Sequence, residues 1–228
     1  MGIRVAVIGA VAAGLCSARH LLHRGVETVV YEIGSCIGGL WVFGNDNGLS
    51  PAYDSLHLNS EAKVTAYKDF PFPQGSPLYP DHRQVREYLE AYAEKFGITP
   101  HIRFCSRVTE VAPAESGRWR VSLEDGSSAE FDAVVVGSGH QGLPAHPNWR
   151  HDFTGEYLHS HSYRIPEAFR GKRVLVVGMG NSAVDIAADI CVVTKSTTLS
   201  ARSPVLMMPR MLFGVPTSRV LGRLEKPW

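Results

Sequence analysis

Two segments of the chain combine a strand, a glycine-rich turn and a helix, and this pattern constrains the fold more than any other feature. In the first, an apolar run at 3–8 leads into residues 9–14 (GAVAAG) and a helix-compatible stretch. In the second, the run 172–177 leads into residues 178–183 (GMGNSA) and another helical stretch. Such a turn places unpaired N–H groups at a helix start, where they favour a dinucleotide pyrophosphate. The sequence therefore predicts an α/β protein with two Rossmann-like units.

The first loop departs from the usual GxGxxG pattern at its middle position. Gly9 and Gly14 supply the outer glycines, but Val11 stands where the second glycine normally lets the backbone approach the pyrophosphate. We expect the side chain to push into that space and to weaken nucleotide binding by roughly 1 to 3 kcal/mol if the loop cannot shift. Glu32 follows the predicted strand 27–31, and a carboxylate at this offset is expected to accept hydrogen bonds from an adenosine ribose.

The second loop has the pattern GxGxxA, which is an accepted variant. The strand predicted near 197–201 ends in Arg202 rather than in an acid. A cation at this place suits a ribose 2′-phosphate, so the loop is predicted to hold NADPH in preference to NADH. The alternative is that Arg202 is a solvated surface charge.

The chain between the two loops is predicted to contain the rest of the first domain and the start of the second. A helix is predicted after Asp81, with apolar residues at helical spacing and Gly97 at its end. Three runs follow at 107–112, 119–123 and 129–136, and Asp125-Gly126 is a strong hairpin signal, so a β-meander is expected. Prolines then indicate a linker. We predict a first domain at 1–148 and a second at 149–228.

Composition limits the possible partners. The 23 basic residues balance the 22 acidic ones, which argues against nucleic-acid binding. No apolar run reaches the length of a membrane span, and a cytoplasmic location is predicted. The four cysteines contain no CxxC pair, and the ten histidines show no recognisable ligand spacing, so no metal is expected. Oligomerisation is left open.

A fingerprint between the two loops connects them to one enzyme family. Residues 153–163 read FxGxxxHxxxY, with Phe153, Gly155, His159 and Tyr163 at the four fixed positions. Together with GGLW at 38–41 and DFPFP at 69–73, this order of motifs resembles the flavin-containing monooxygenases, a group of class B flavoprotein monooxygenases. The closing tyrosine favours this family over the related Baeyer–Villiger monooxygenases, which carry tryptophan there.

The resemblance implies a cofactor-based reaction. NADPH would reduce FAD, the reduced flavin would capture O2 as a C4a-hydroperoxide, and this species would oxygenate a soft nitrogen or sulfur atom of a small molecule. The protein would position and shield the flavin, so no acid–base triad is required.

The resemblance also implies roles for individual residues. Asn59 matches an asparagine near the reactive edge of the flavin and is the one candidate catalytic residue, although it is alternatively a loop-capping asparagine. His159 and Tyr163 either link the two domains or are purely structural. The expected contacts of the flavin site are Gly9, Ala10, Val11, Ala12, Ala13, Gly14, Glu32, Leu40, Trp41, Asn59, Ser60 and Val108. Those of the NADPH site are Gly178, Gly180, Asn181, Ser182, Ala183, Val184, Asp185 and Arg202.

The last feature is the end of the sequence at Trp228, soon after the second strand of the NADPH unit. Because a mononucleotide-binding half normally has a third strand, the second unit is expected to be incomplete. The sequence is then either a piece of a longer oxygenase or a remnant without activity. A related flavoprotein with Baeyer–Villiger or NADPH oxidase chemistry is the other alternative.

Overall fold

The computed structural model describes residues 2–217 and 219–220, and the chain forms two compact units. The first contains the chain up to Ala52 together with His82–His146, and the second contains Tyr53–Asp81 and the chain from Pro147 onward. The change at 146 lies close to the predicted boundary at 148. Residues 53–81 differ from the prediction, since they pack with the second unit rather than the first. The reason is that Tyr53 lies in a core cluster with Tyr163 and Ile186.

The described chain contains helices and strands, together with several short 3₁₀ turns. The helices are α1 (Ala12–His23), α2 (Ala62–Thr65), α3 (His82–Lys95) and α4 (Asn181–Ile190). The strands are β1 (Arg4–Ile8), β2 (Glu27–Tyr31), β3 (Ile102–Arg103), β4 (Val108–Pro113), β5 (Trp119–Leu123), β6 (Ser128–Phe131), β7 (Ala133–Val136), β8 (Arg173–Val177), β9 (Ser196–Ser200), β10 (Met211–Leu212) and β11 (Val215–Pro216).

The first unit is built on a parallel sheet in the order β3-β2-β1-β7. Val5, Ala6 and Val7 of the central strand β1 are all buried, as expected for a parallel strand covered on both faces. Helix α1 follows β1 and packs against β2, and α3 packs against α1. The guanidinium of Arg19 on α1 lies 3.6 Å from the centroid of the Phe96 ring, which directly follows α3. This is the predicted Rossmann-like unit.

The predicted β-meander is present as the antiparallel sheet β4-β5-β6, with the hairpin at Asp125-Gly126. The predicted single run at 129–136 is wrong, because it forms two strands in different sheets. β6 ends the meander, whereas β7 pairs in parallel with β1. Asp132 separates them: its backbone N–H donates to the Arg4 carbonyl, and its carboxylate accepts the Arg4 N–H at 2.7 Å.

The core of the first unit joins the parallel sheet to the meander. Ala6 and Tyr31 come from the sheet, and Val121 and Phe131 come from the meander. The Tyr31 and Phe131 rings meet edge to face, with centroids 6.1 Å apart. The two layers therefore share one hydrophobic core.

The second unit contains the parallel pair β8-β9, helix α4, the short hairpin β10-β11 and the segment 53–81. Its core contains Tyr53, Tyr163, Ile186 and Ile190. Within the described residues its parallel sheet has two strands. Glu61 is 1% exposed, and its carboxylate accepts a hydrogen bond from Arg219 Nε at 2.7 Å.

Among the described residues, none of the helices is long and apolar enough to cross a bilayer. The described chain also contains no cluster of three or more histidine, cysteine or acidic side chains able to hold a metal. The cytoplasmic location stays a prediction.

Candidate functional site

The first glycine loop is built from close approaches of the backbone. Gly9 has φ +101° and donates its N–H to the Tyr31 carbonyl at 2.8 Å. A Cβ atom at Gly9 would lie 2.5 Å from the Gly137 carbonyl oxygen, and one at Gly14 would lie 1.8 Å from the Gly9 carbonyl oxygen. Both positions therefore exclude any side chain, which is why the outer glycines of the motif are needed for the fold itself.

Helix α1 begins immediately after Val11, which has extended backbone angles and no side-chain oxygen with which to cap the helix. Its carbonyl accepts the Leu15 N–H at 2.8 Å. The first turn also contains no acidic residue. Because the N-cap residue supplies no polar side chain and the first turn supplies no carboxylate, the positive end of the helix dipole suits an anion.

The Val11 side chain points toward the glycine pair of the GGLW motif. Its Cγ2 atom lies 2.5 Å from the place where a Cβ of Gly39 would stand, and Gly39 has φ +51°. The Gly38 N–H donates to the Ala10 carbonyl at 3.4 Å, so the two backbones also touch directly. Val11 therefore fills the space between the loop and this turn, and its effect on a bound pyrophosphate stays a prediction.

Glu32 is 2% exposed, and both of its carboxylate oxygens accept backbone N–H groups. Oε2 accepts from Ala10 at 2.7 Å and Oε1 accepts from Gly34 at 2.9 Å. The side chain thus holds the first glycine loop and the chain after β2 together. This structural role was not predicted from the spacing, which indicated only a contact to ribose.

The GGLW motif forms a 3₁₀ turn, Gly39–Trp41, in which Leu40 and Trp41 are half-buried. A cleft of about 440 Å³ lies beside it and is lined by Trp41, Phe43, His82, Arg83, Arg86, Glu87 and Glu90. His82 Nδ1 donates to the Trp41 carbonyl at 3.3 Å, whereas the buried Nε2 atom has no hydrogen-bond partner among the described residues. No sequence motif pointed to His82.

The glycines of the second loop have fewer close neighbours than those of the first. Gly178 has φ +121°, and a Cβ there would meet only Ala183 at 3.9 Å. Gly180 is the N-cap residue of α4, and a Cβ at this position would have no other atom within 4 Å. Asn181 and Ser182 are exposed, the next three predicted contacts (Ala183, Val184 and Asp185) are half-buried, and Arg202 is exposed two residues after β9.

The fingerprint residues have local roles in the second unit. The Phe153 ring covers Gly155, where a Cβ would lie 2.6 Å from the ring. His159 Nδ1 accepts the His161 N–H at 3.1 Å and so caps a 3₁₀ turn. Tyr163 is 1% exposed and donates its hydroxyl to the Asp189 carboxylate on α4. The tyrosine therefore reaches the helix that follows the second glycine loop.

A second tyrosine contacts the same helix. Tyr53 donates its hydroxyl to Asp185 at 3.0 Å, and Arg210 pairs with the other oxygen of Asp185 at 3.7 Å. Burial raises the pKa of both Tyr53 and Tyr163 above the ordinary value, and the neighbouring aspartates raise the pKa of each further. Both hydroxyls are thus held as neutral donors.

The remaining predicted residues lie in different surroundings. Asn59 and Ser60 are exposed in the second unit, and the Ser60 hydroxyl pairs with that of Thr65 at 2.6 Å. Val108 begins β4, and its side chain packs against the core of the first unit. Asn59 and Ser60 therefore belong to the same unit as the second glycine loop, and Val108 belongs to the same unit as the first glycine loop.

Comparison with known proteins decides the family. The model of the family described as flavin-binding monooxygenase-like matches residues 2–224. Flavin-containing monooxygenase 3 of Macaca mulatta is 38% identical over 225 residues, which cover 92% of this chain and 42% of that protein. Dimethylaniline monooxygenase [N-oxide-forming] 4 of Mus musculus is 38% identical over 224 residues, covering 92% and 40%. The chain belongs to the flavin-binding monooxygenase family.

Solved structures of flavin-dependent and other oxygenases superpose closely on this chain, as two examples show. The S-allyl-L-cysteine S-oxygenase of Allium sativum superposes with a TM-score of 0.81 at 33% identity, over 94% of this chain and 54% of that one. A complex of OTEMO with FAD and NADP superposes with a TM-score of 0.70 at 25% identity, over 89% and 39%. The chain thus spans about two fifths of the length of the curated relatives named above.

The residues present fit the two cofactors of the family with one restriction. Both loops place a helix start without a side-chain cap behind a glycine turn, which suits a pyrophosphate. The restriction is the Val11 side chain, which lies against Gly39 in the first loop. Spacing alone identified Val11 as a departure, but its contact with Gly39 depends on the fold.

Proposed function

We propose that this chain binds FAD at its first glycine loop and NADPH at its second, as part of an O2-dependent monooxygenase of soft nitrogen or sulfur nucleophiles. The observation that carries the proposal is that this chain of the family contains two such loops. A residue just after the second strand of each unit carries a negative charge in one and a positive charge in the other. Glu32 follows β2 in the first unit, and Arg202 follows β9 in the second. These charges suit a ribose and a ribose 2′-phosphate, respectively.

In the first unit, the α1 N-terminus would take the FAD pyrophosphate, with Ala12 and Ala13 in its first turn. Glu32 would orient Ala10 and Gly34 and accept from the ribose. Leu40 and Trp41, held in the 3₁₀ turn, would lie along the cofactor, and Val108 would contact it from the start of β4. When bound, FAD supplies the redox chemistry and the activated oxygen. The protein then needs to bind, orient and exclude water.

In the second unit, the backbone of 178–183 and the exposed side chains of Asn181 and Ser182 would bind the NADPH pyrophosphate. Arg202 would select the 2′-phosphate. Asn59 is the proposed catalytic residue on the ground of the family resemblance, and its exposed amide would donate a hydrogen bond to the reacting group without titrating. The names of the relatives support nitrogen and sulfur as the atoms oxygenated, since one is N-oxide-forming and another is an S-oxygenase.

The experiment is to purify the 228-residue chain, titrate it with FAD and follow NADPH oxidation with a tertiary amine, a thioether and a cyclic ketone as substrates. We expect bound flavin, faster oxidation with NADPH than with NADH, and N-oxide or S-oxide as the product. An ester or lactone product from the ketone would indicate Baeyer–Villiger chemistry instead. Oxidation of NADPH that yields only hydrogen peroxide would indicate an oxidase.

The remnant alternative has its own outcome. Protein that takes up neither FAD nor NADP+ at millimolar concentration, although circular dichroism shows it folded, would reject the proposal for this chain. An Asn59→Leu variant serves as the matched control for the catalytic role. It should retain both cofactors and lose product formation.

A further inference from the structure

Helix α4 presents two carboxylates, one turn apart, to three hydroxyl groups from distant parts of the second unit. Asp185 and Asp189 are four residues apart and so lie on one face of the helix. Asp185 accepts from Tyr53 at 3.0 Å. Asp189 accepts from Ser55 at 2.8 Å and from Tyr163, both on the same oxygen.

These hydrogen bonds stand at the edge of a packed aromatic cluster. Tyr53 and Tyr163 are 5% and 1% exposed, their ring centroids are 5.6 Å apart, and Phe169 packs on Tyr163 at 5.7 Å. A phenylalanine would pack equally well at either tyrosine. The hydroxyls therefore serve to orient the helix. A buried donor that binds a carboxylate holds that face of α4 in one orientation.

The partners of the two aspartates come from segments that matter for the proposed function. Tyr163 closes the fingerprint, and Tyr53 and Ser55 lead directly into Asn59. The Asp54 N–H also donates to the Arg164 carbonyl at 2.9 Å, which ties these two segments by their backbones. At its other end, α4 starts from Gly180 of the second glycine loop. One network thus connects the fingerprint, the Asn59 segment and the loop.

We propose that Tyr163, together with Tyr53 and Ser55, is a positioning residue that holds α4 and the Asn59 segment at a fixed spacing, so that bound NADPH meets Asn59 correctly. This inference rests on the proposed function, since it assigns NADPH to the second loop. The proposal assigns the fingerprint residue Tyr163 a structural role within the second unit.

The test compares Tyr163→Phe with Tyr92→Phe. Tyr92 is a fully buried tyrosine of the first unit whose hydroxyl accepts from Arg19 at 3.4 Å, so the control removes the same atom away from the network. We expect Tyr163→Phe to weaken NADP+ binding about tenfold, the effect of one charge-assisted hydrogen bond, and to leave FAD binding within about twofold. Tyr92→Phe should change neither.

A conservative pair at Asp189 separates positioning from packing. Asp189→Asn keeps an oxygen that accepts from Tyr163, whereas Asp189→Leu keeps only the volume. NADP+ affinity should be restored in large part by asparagine and lost with leucine. An NADP+ affinity of Tyr163→Phe within about twofold of the wild type, or equal losses of FAD and NADP+ affinity, would overturn the proposal.

Amide hydrogen exchange makes the inference independent of cofactor binding. Tyr163→Phe should speed exchange both at 54–60 and at 180–185, whereas Tyr92→Phe should speed neither. If the wild type binds no NADP+, the proposed function fails for this chain, and the exchange result alone decides whether the network exists. Faster exchange in only one of the two segments would overturn the coupling.

Discussion

The two glycine loops have related sequences but opposite surroundings. In the first, side-chain carbons at Gly9 and Gly14 would collide with backbone oxygens, and the Glu32 carboxylate holds two N–H groups of the loop region. In the second, Gly180 has open space around it, and the charge after the next strand is the exposed Arg202. The middle position of the motif, which Val11 fills in the first loop, is therefore open for a ligand in the second, where it is Gly180.

The largest expected effect of this difference is on stability. Gly14→Ala places a methyl group against the Gly9 carbonyl and should lower the free energy of unfolding by about 3 kcal/mol or more. Gly180→Ala has backbone angles that alanine adopts, so it should cost less than about 1 kcal/mol. Urea unfolding followed by circular dichroism measures both. Equal losses in the two variants would break the comparison.

The second effect is on the first loop as a flavin site. Val11→Gly removes the side chain that lies against Gly39, and glycine is well tolerated at a helix N-cap. FAD should bind up to about 3 kcal/mol more tightly, the upper range for relief of an overpacked site. Fluorescence titration measures the change, with Val11→Ala as an intermediate. If FAD affinity is the same in all three proteins, Val11 does not obstruct the cofactor.

The third effect concerns Glu32, which binds one N–H with each oxygen. Glu32→Gln turns an amide NH2 toward either Ala10 or Gly34 and leaves that buried N–H without an acceptor. We expect a loss of about 2 kcal/mol in the free energy of unfolding. Glu27→Gln is the control, because Glu27 forms an exposed ion pair with Arg4 and should cost less than about 1 kcal/mol. Similar losses would mean that the Glu32 carboxylate does not hold the loop.

Local patterns predicted most of the fold. Strand β2 begins and ends at the predicted residues, α3 ends before Gly97 with φ +64°, and the meander has its turn at Asp125-Gly126. These features are encoded within a few neighbouring residues, so periodicity and turn chemistry are sufficient. The Rossmann-like units and the family followed from motifs of the same local kind.

The features that escaped prediction all depend on contacts between distant residues. Asp132 divides the run 129–136 because it bonds to Arg4, on a strand far away in sequence. Segment 53–81 joins the second unit because Tyr53 packs on Tyr163, and Val11 meets Gly39 only after the loop and the turn come together. Spacing along the chain carries no information about such pairs. The same limit hid the contacts of Asp185 and Asp189.

The smallest effect should come from the charge after the second loop. Arg202 is exposed, so its contact to a ribose 2′-phosphate would be screened by solvent, and Arg202→Ala should weaken NADPH binding by about 1 kcal/mol, roughly fivefold. NADH, which lacks that phosphate, should bind equally well before and after the change. Arg173→Ala removes an exposed charge from the start of β8 in the same unit and controls for a general electrostatic effect. If the affinities for NADPH and NADH fall together, Arg202 is a surface charge. The contrast between Glu32 and Arg202 would then have no bearing on which nicotinamide cofactor binds.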